Sequence, residues 1–256
     1  MWNISFSRLA VGTCWLWGAW TLAGYPFVAQ EEAVTAQVKI ERPASTKQLK
    51  APIAVRDASE VVVWLLPIDH PGTVGSVSEH SDKKWRVVQK NKSFQPHLTV
   101  VRVGSVVDFP NRDPFFHNVF SLFDGKRFDL GLYEAGATNS VRFDHAGVSF
   151  LFCNIHPEMS AVVIALDTPY YAVTDKSGGL AIPNVTDGKY DVHVWYERCL
   201  PEELKGLLRM VRISGDSRNL GTIVVPEDAG FSPSHKNKYG QDYVPPSPAN
   251  QPYSRP

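Results

Sequence analysis

Apolar residues recur along this chain in short runs, continuous or alternating with polar ones, and turn signals separate the runs. No long stretch carries a 3.6-residue period with helix caps, so the pattern predicts strands and little helix. Predicted strands cover residues 34–40, 61–66, 85–89, 98–103, 105–109, 118–121, 140–143, 148–153 and 160–166. Asp124-Gly125 and Ala146-Gly147 supply turns among them. Short strands at this spacing predict an all-β chain, a sandwich or a Greek-key barrel.

A second block runs from about residue 169 to 226. Residues 171–174 lead into Asp175-Lys176-Ser177-Gly178-Gly179, a turn, and Asp187-Gly188 is a hairpin signal. Tyr190, Val192, Val194 and Tyr196 then alternate with Asp191, His193 and Trp195, which buries one face and sends His193 toward solvent. Residues 209–214 and 220–225 complete a small sandwich. Below about 70 residues such a unit is marginal alone, so it is expected to lean on the first block. Pro201 before Glu202 and Glu203 predicts a solvated turn or a short helix. From residue 227 to 256 Pro, Ser, Asn and Tyr dominate, and the prolines at 245, 246, 248, 252 and 256 disfavour packed structure. A flexible tail is expected there.

Composition narrows the classes. With 43% hydrophobic and 20% charged residues the chain reads as globular. Its 26 basic and 26 acidic residues cancel, which leaves no electrostatic footprint for nucleic acid, and no nucleic-acid partner is expected. The charges are absent from residues 9–30, directly after Arg8. That apolar run, ending at Gly24 and Pro26, predicts a signal peptide over 1–29 with cleavage near Ala29. The location expected is periplasmic or otherwise extracytoplasmic. An uncleaved anchor is the alternative, and a membrane is a partner only in that case. Cleavage leaves two of the three cysteines, Cys153 and Cys199. Either they form a disulfide, or Cys153 is a metal thiolate and Cys199 a free thiol.

The second reading rests on the segment Phe150-Leu151-Phe152-Cys153-Asn154-Ile155-His156-Pro157-Glu158-Met159. It holds Cys-x2-His-x2-Met at the end of an apolar strand, and His117 stands 36 residues before the cysteine. Two imidazoles, a thiolate and a weak axial thioether are the donors of a blue-copper electron-transfer centre. Soft sulfur stabilises Cu(I), while imidazole suits both oxidation states. Pro157 stiffens the loop. Phe115, Phe116, Phe152 and Ile155 would exclude water, and Asn118 is placed to tie the two ligand loops together. His97, His145, His193, His70, His80 and His235 have no ligand spacing and are expected on strands, in turns or in the tail.

At these residues the chain resembles the cupredoxins, specifically the plastocyanin-like and amicyanin-like blue copper proteins. Residues 98–112 are similar to the family's entry strands, and His117-Asn118-Val119, Cys153, His156 and Met159 match its ligand pattern in type and order. The resemblance implies a Greek-key cupredoxin β-sandwich over 30–168, with its core at 94–166 and an N-terminal extension. It implies one type 1 copper held by His117, Cys153 and His156 with Met159 axial, and His156 as the electron port. The second block, 169–226, resembles carboxypeptidase regulatory-like or transthyretin-like sandwiches through Gly179, Leu180, Ile182, Val185, Gly188 and Tyr190. The function expected is single-electron shuttling with redox partner proteins. No His-x-His pair and no nucleophile elbow occur, so no catalytic residues and no enzyme are expected. Two other readings stand beside it: a non-redox module binding glycan or cell wall, and a protein that holds or delivers copper.

Overall fold

The structure, a computed structural model, describes residues 33–42, 57–69, 84–122, 125–232 and 235–243. The expected signal peptide and the last part of the expected tail, 244–256, lie outside the described residues. The chain is all-β. Among the described residues there are 17 strands and one six-residue helix, Pro201–Gly206. The helix opens on Pro201 with Glu202 and Glu203 in its first turn, where acidic groups favour the positive end of the helix dipole.

One lobe pairs a five-stranded with a three-stranded sheet. The larger runs Leu98–Arg102, Ser160–Leu166, Gly147–Phe152, His117–Ser121, Phe128–Tyr133. The smaller runs Thr138–Arg142, Val106–Pro110, Trp85–Arg86. Val101, Val107, Phe109, Val119, Phe143, Leu151, Cys153, Met159 and Val163 are buried together in the core of this lobe. The strand Phe128–Tyr133 was not expected from the sequence. Asp129 and Gly131 are poor strand residues, and Gly131 takes a left-handed φ of 66°. The strand survives at the sheet edge through pairing with His117–Ser121, whose register shifts between Asn118 and Phe120. The single strand expected over 85–89 is interrupted at Val87, whose N–H bonds the Asp108 carbonyl at 2.9 Å.

The other lobe does not follow the linear division at residue 168. Val34–Glu41 lies between Gly179–Ile182 and Asn219–Pro226, and Val62–Pro67 lies between Tyr171–Val173 and Gly188–Trp195, which also pairs with Arg209–Ile213. Both N-terminal strands are therefore interior strands of the C-terminal block rather than an extension of the first lobe. The physical reason is size. Residues 169–226 offer mostly edge strands and too little apolar surface to close a core, and Val34, Val38, Val61, Val63 and Leu65 supply it against Ile182, Tyr190, Val192 and Val225. In the turn that meets Val34–Glu41, Gly178 has φ 84°, and a Cβ there would lie 2.2 Å from the Val38 carbonyl oxygen.

A third apolar cluster joins the lobes. Val162, Ile164 and Leu166 face Val62 and Trp195, with Val100 beside them, while Ala161, Val163 and Ala165 face the opposite core. The period-2 alternation of a strand thus buries both faces of Ser160–Leu166. This strand follows Met159 directly, so the end of the candidate metal loop is anchored in a strand buried on both faces.

Candidate metal centre

Cys153 leaves the end of Gly147–Phe152 at the point where pairing with Ser160–Leu166 stops. The loop that follows closes on itself: Met159 N–H bonds the His156 carbonyl at 3.1 Å, and Cys153 N–H bonds the Met159 carbonyl at 3.3 Å. Pro157, between the two ligand candidates, cannot donate and is left exposed. His117 opens the neighbouring strand, so its side chain enters from across the sheet.

These elements bring His117, Cys153 and His156 together as a possible metal site, with one donor atom from each within 4.8 Å of the others. Cys153 Sγ lies 3.8 Å from His117 Nδ1 and 3.6 Å from His156 Nδ1. A metal with bonds of ~2.3 Å to sulfur and ~2.0 Å to nitrogen, opening at tetrahedral to trigonal angles, separates such atoms by about 3.5–3.7 Å, within ~0.1 Å of both distances. The residues present therefore fit a metal ion. Their chemistry, one thiol and two imidazoles, fits a soft or borderline one. Met159 is fully buried in the same core as Cys153. His117 and Cys153 are fully buried, and His156 retains 8% exposure, so it is the donor that reaches water.

The surroundings determine how each donor is presented. His117 Nε2 donates to Asp113 Oδ2 at 2.8 Å, both residues being buried. That bond places the proton on Nε2 and leaves the Nδ1 lone pair facing Cys153. Asp113 is held by the N–H groups of Asn91 at 2.7 Å and Lys92 at 2.9 Å. Burial opposes its charge, but the Lys92 N–H, the His117 imidazole and the Asn91 N–H outweigh burial and hold the carboxyl below the usual carboxylate range. Burial also pushes the Cys153 thiol up, while the N–H groups of Asn118, Ile155 and His156 favour its thiolate. The His156 imidazole is pushed down by burial and by His117, which favours the neutral form that can coordinate. Phe115 sits at 5.2 Å from the His117 ring and 5.7 Å from the His156 ring, walling off the pair.

Several expectations need correction. Asn118 does not tie the two ligand loops through its side chain. Its Nδ2 bonds Asp129 Oδ1 at 2.7 Å and the Gly131 carbonyl at 2.9 Å, and only its backbone N–H serves the thiol. Cys153 and Cys199 are both free, the latter buried in the other lobe's core with its pKa pushed up to about 11 by burial. That removes the disulfide alternative. His193 stacks on Trp64 at 5.1 Å and is not simply turned to solvent. His97 bridges the Ser160 carbonyl and Glu197. Asp113 escaped the sequence reading, although its position four residues before His117 was a usable signal. Residues 235–243, expected in a flexible tail, pack against the loop. A cleft of about 380 Å³ lined by Arg42, His97, Trp195, Glu197 and Arg198 contains none of the four ligand candidates.

No family model and no curated protein matches this chain. Its solved structural neighbours are cupredoxins. A novel purple cupredoxin from Nitrosopumilus maritimus is 21% identical, with 32% of this chain and all of that chain covered, at a TM-score of 0.30. A reduced amicyanin mutant is 21% identical, covering 41% of this chain and 98% of that one, at 0.31. A copper-containing nitrite reductase from Thermus scotoductus is 18% identical, covering 50% of this chain and 28% of that one, at 0.32. The likeness is partial and assigns no residue a role. The expectation of a non-enzyme is withdrawn, since the structures this chain is similar to include a nitrite reductase as well as small cupredoxins.

Proposed function

We propose that this chain binds one copper ion through His117 Nδ1, Cys153 Sγ and His156 Nδ1, with Met159 as the weak axial donor, and exchanges single electrons with a redox partner protein. The observation that carries the reading is the buried His117–Cys153–His156 group, whose donor spacing matches metal–ligand bond lengths. When bound, copper supplies a one-electron Cu(II)/Cu(I) couple that favours two imidazoles, a thiolate and a long thioether. The protein's contribution is placement. Asp113 sets the His117 tautomer, the N–H groups around Cys153 stabilise a thiolate, and Phe115 excludes water from the imidazole pair.

His156 is the natural point of electron entry and exit, because it alone of these donors touches solvent. Phe116 and Ile155 are exposed at 48% and 38%, apolar residues close in sequence to the two imidazole donors. A partner docking there would bury apolar surface, which favours association. We also propose export across a membrane by way of residues 1–29, on the charge-free apolar run after Arg8.

The test is a Cu(II) titration of the chain from Gln30 onward, followed by visible absorption and EPR. An intense thiolate-to-copper charge-transfer band is expected, and Cys153→Ser is expected to abolish it while far-UV circular dichroism is retained. A folded, colourless wild-type protein refutes the reading. Rapid, reversible exchange of electrons with a second redox protein then separates shuttling from copper storage.

A further inference from the structure

Residues 235–243 lie against the candidate metal loop, where the sequence offers only a polar, proline-flanked stretch. Four contacts hold them. The Tyr243 hydroxyl donates to the Cys153 carbonyl at 2.6 Å. Lys238 N–H bonds Asn154 Oδ1 at 2.9 Å, and Lys238 Nζ bonds Asp129 Oδ2 at 2.7 Å. The His235 ring stacks on Phe152 at 4.2 Å, and Tyr243 meets His235 edge-on at 5.4 Å. The segment is also closed internally, since Asn237 Oδ1 takes the N–H groups of Tyr239 and Gln241, and Asn237 N–H bonds the Gln241 carbonyl. A turn already folded by its own bonds loses less chain entropy on docking.

The contacts fall on the Cys153 segment and, through Asp129, extend toward the His117 segment. Tyr243 and Lys238 hold the backbone at Cys153 and the side chain at Asn154. Through Asp129, whose other oxygen accepts from Asn118 Nδ2, Lys238 also reaches the strand that starts at His117. Meanwhile Phe116 and Ile155, exposed apolar residues adjacent in sequence to the imidazole donors, take part in none of these contacts. We propose that residues 235–243 are a positioning clasp for the metal loop, with Tyr243 the positioning residue that fixes the Cys153 carbonyl. The inference rests on the copper reading for its redox consequence, but the clasp itself is a property of the metal-free chain.

Its physical effect follows from the bond. A hydroxyl donating to the Cys153 carbonyl draws electron density from that residue and restrains the backbone carrying the sulfur. Donor positions that cannot relax keep the ligand set alike in both oxidation states.

The experiment uses the chain from Gln30 as wild type, Tyr243→Phe and Lys238→Met. Amide hydrogen exchange of the metal-free proteins reads the loop-closing N–H groups of Cys153 and Met159. Loss of one hydrogen bond is expected to speed exchange there by roughly two- to tenfold in either variant, with the amides of Val34–Glu41 unchanged. In the copper-loaded proteins Tyr243→Phe is expected to shift the charge-transfer band and lower the reduction potential, with an unchanged thermal midpoint. Unchanged exchange at Cys153 and Met159 overturns the proposal, and so does a loaded Tyr243→Phe protein whose band and potential match wild type. If the wild type takes up no copper, the copper reading fails by itself. The exchange rates then still decide whether the clasp exists.

Discussion

Replacing Asp113 by Asn removes a charge and keeps the shape, which makes it the sharpest probe of how His117 is presented. Asp113 Oδ1 accepts from Asn91 N–H, and Oδ2 accepts from both Lys92 N–H and His117 Nε2. An amide has one oxygen. If its nitrogen takes the Oδ2 position, it confronts two donors; if it takes the Oδ1 position, it confronts Asn91 alone and keeps a weaker, neutral bond to His117. The amide can also donate to Nε2, which moves the imidazole proton to Nδ1 and blocks the metal-facing lone pair. His117 is fully buried, so water does not readily repair the loss. Such outer partners of ligand histidines are worth about 10–100-fold in metal affinity, or ~1.4–2.7 kcal/mol. Removing a charge-assisted buried bond costs the metal-free fold about 1–3 kcal/mol. Competition titration against a chelator of known affinity reads the first quantity, and urea denaturation of the metal-free protein reads the second. The carboxyl is held below the usual range, so its stabilisation is present above an ordinary pKa of about 3.9 and is lost as pH falls through the lower native value. Wild type and Asp113→Asn should therefore converge in stability at the acid end. Copper affinity within twofold of wild type, together with equal stability at neutral pH, would refute the argument.

Three further outcomes test the frame around the site. Ile164→Ala opens a void in the cluster between the lobes and should cost about 2–5 kcal/mol in chemical denaturation. Gly178→Ala places a Cβ against the Val38 carbonyl in a left-handed conformation, and a loss of at least ~1–2 kcal/mol is expected by the same measurement. The His97 imidazole is held above its ordinary value by its hydrogen bond to Glu197, which outweighs burial. Its stabilisation is therefore full below an unfolded pKa of about 6.5 and disappears as pH rises through the native value. Urea midpoints should fall across that interval in wild type and fall less in His97→Gln, where of the two imidazoles held above their ordinary value only that of His145 remains.

Much of the candidate site was legible because its parts are local. Cys153, His156 and Met159 sit on one loop of seven residues, and their spacing is visible without any fold. His117 was legible through its neighbours, Asn118 and the phenylalanines before it. The strands were legible wherever apolar runs were continuous, as at 160–166, and illegible where Asp129 and Gly131 broke the pattern and pairing with a neighbour restored it. The two N-terminal strands were found as strands but assigned to the wrong neighbours, since alternation reports that a face is buried and not what it is buried against.

The sequence by itself therefore determined the strand-rich class and the close spacing of Cys153, His156 and Met159 on one loop. These depend on side-chain chemistry and on spacings of a few residues. The tertiary structure alone decided what acts across long separations. It placed Val34–Glu41 and Val62–Pro67 inside the C-terminal lobe, kept Cys153 and Cys199 apart, and laid Tyr243 against the carbonyl of Cys153, 90 residues away. Such contacts are selected by which surfaces the whole chain can bury at once, and no local pattern records that choice.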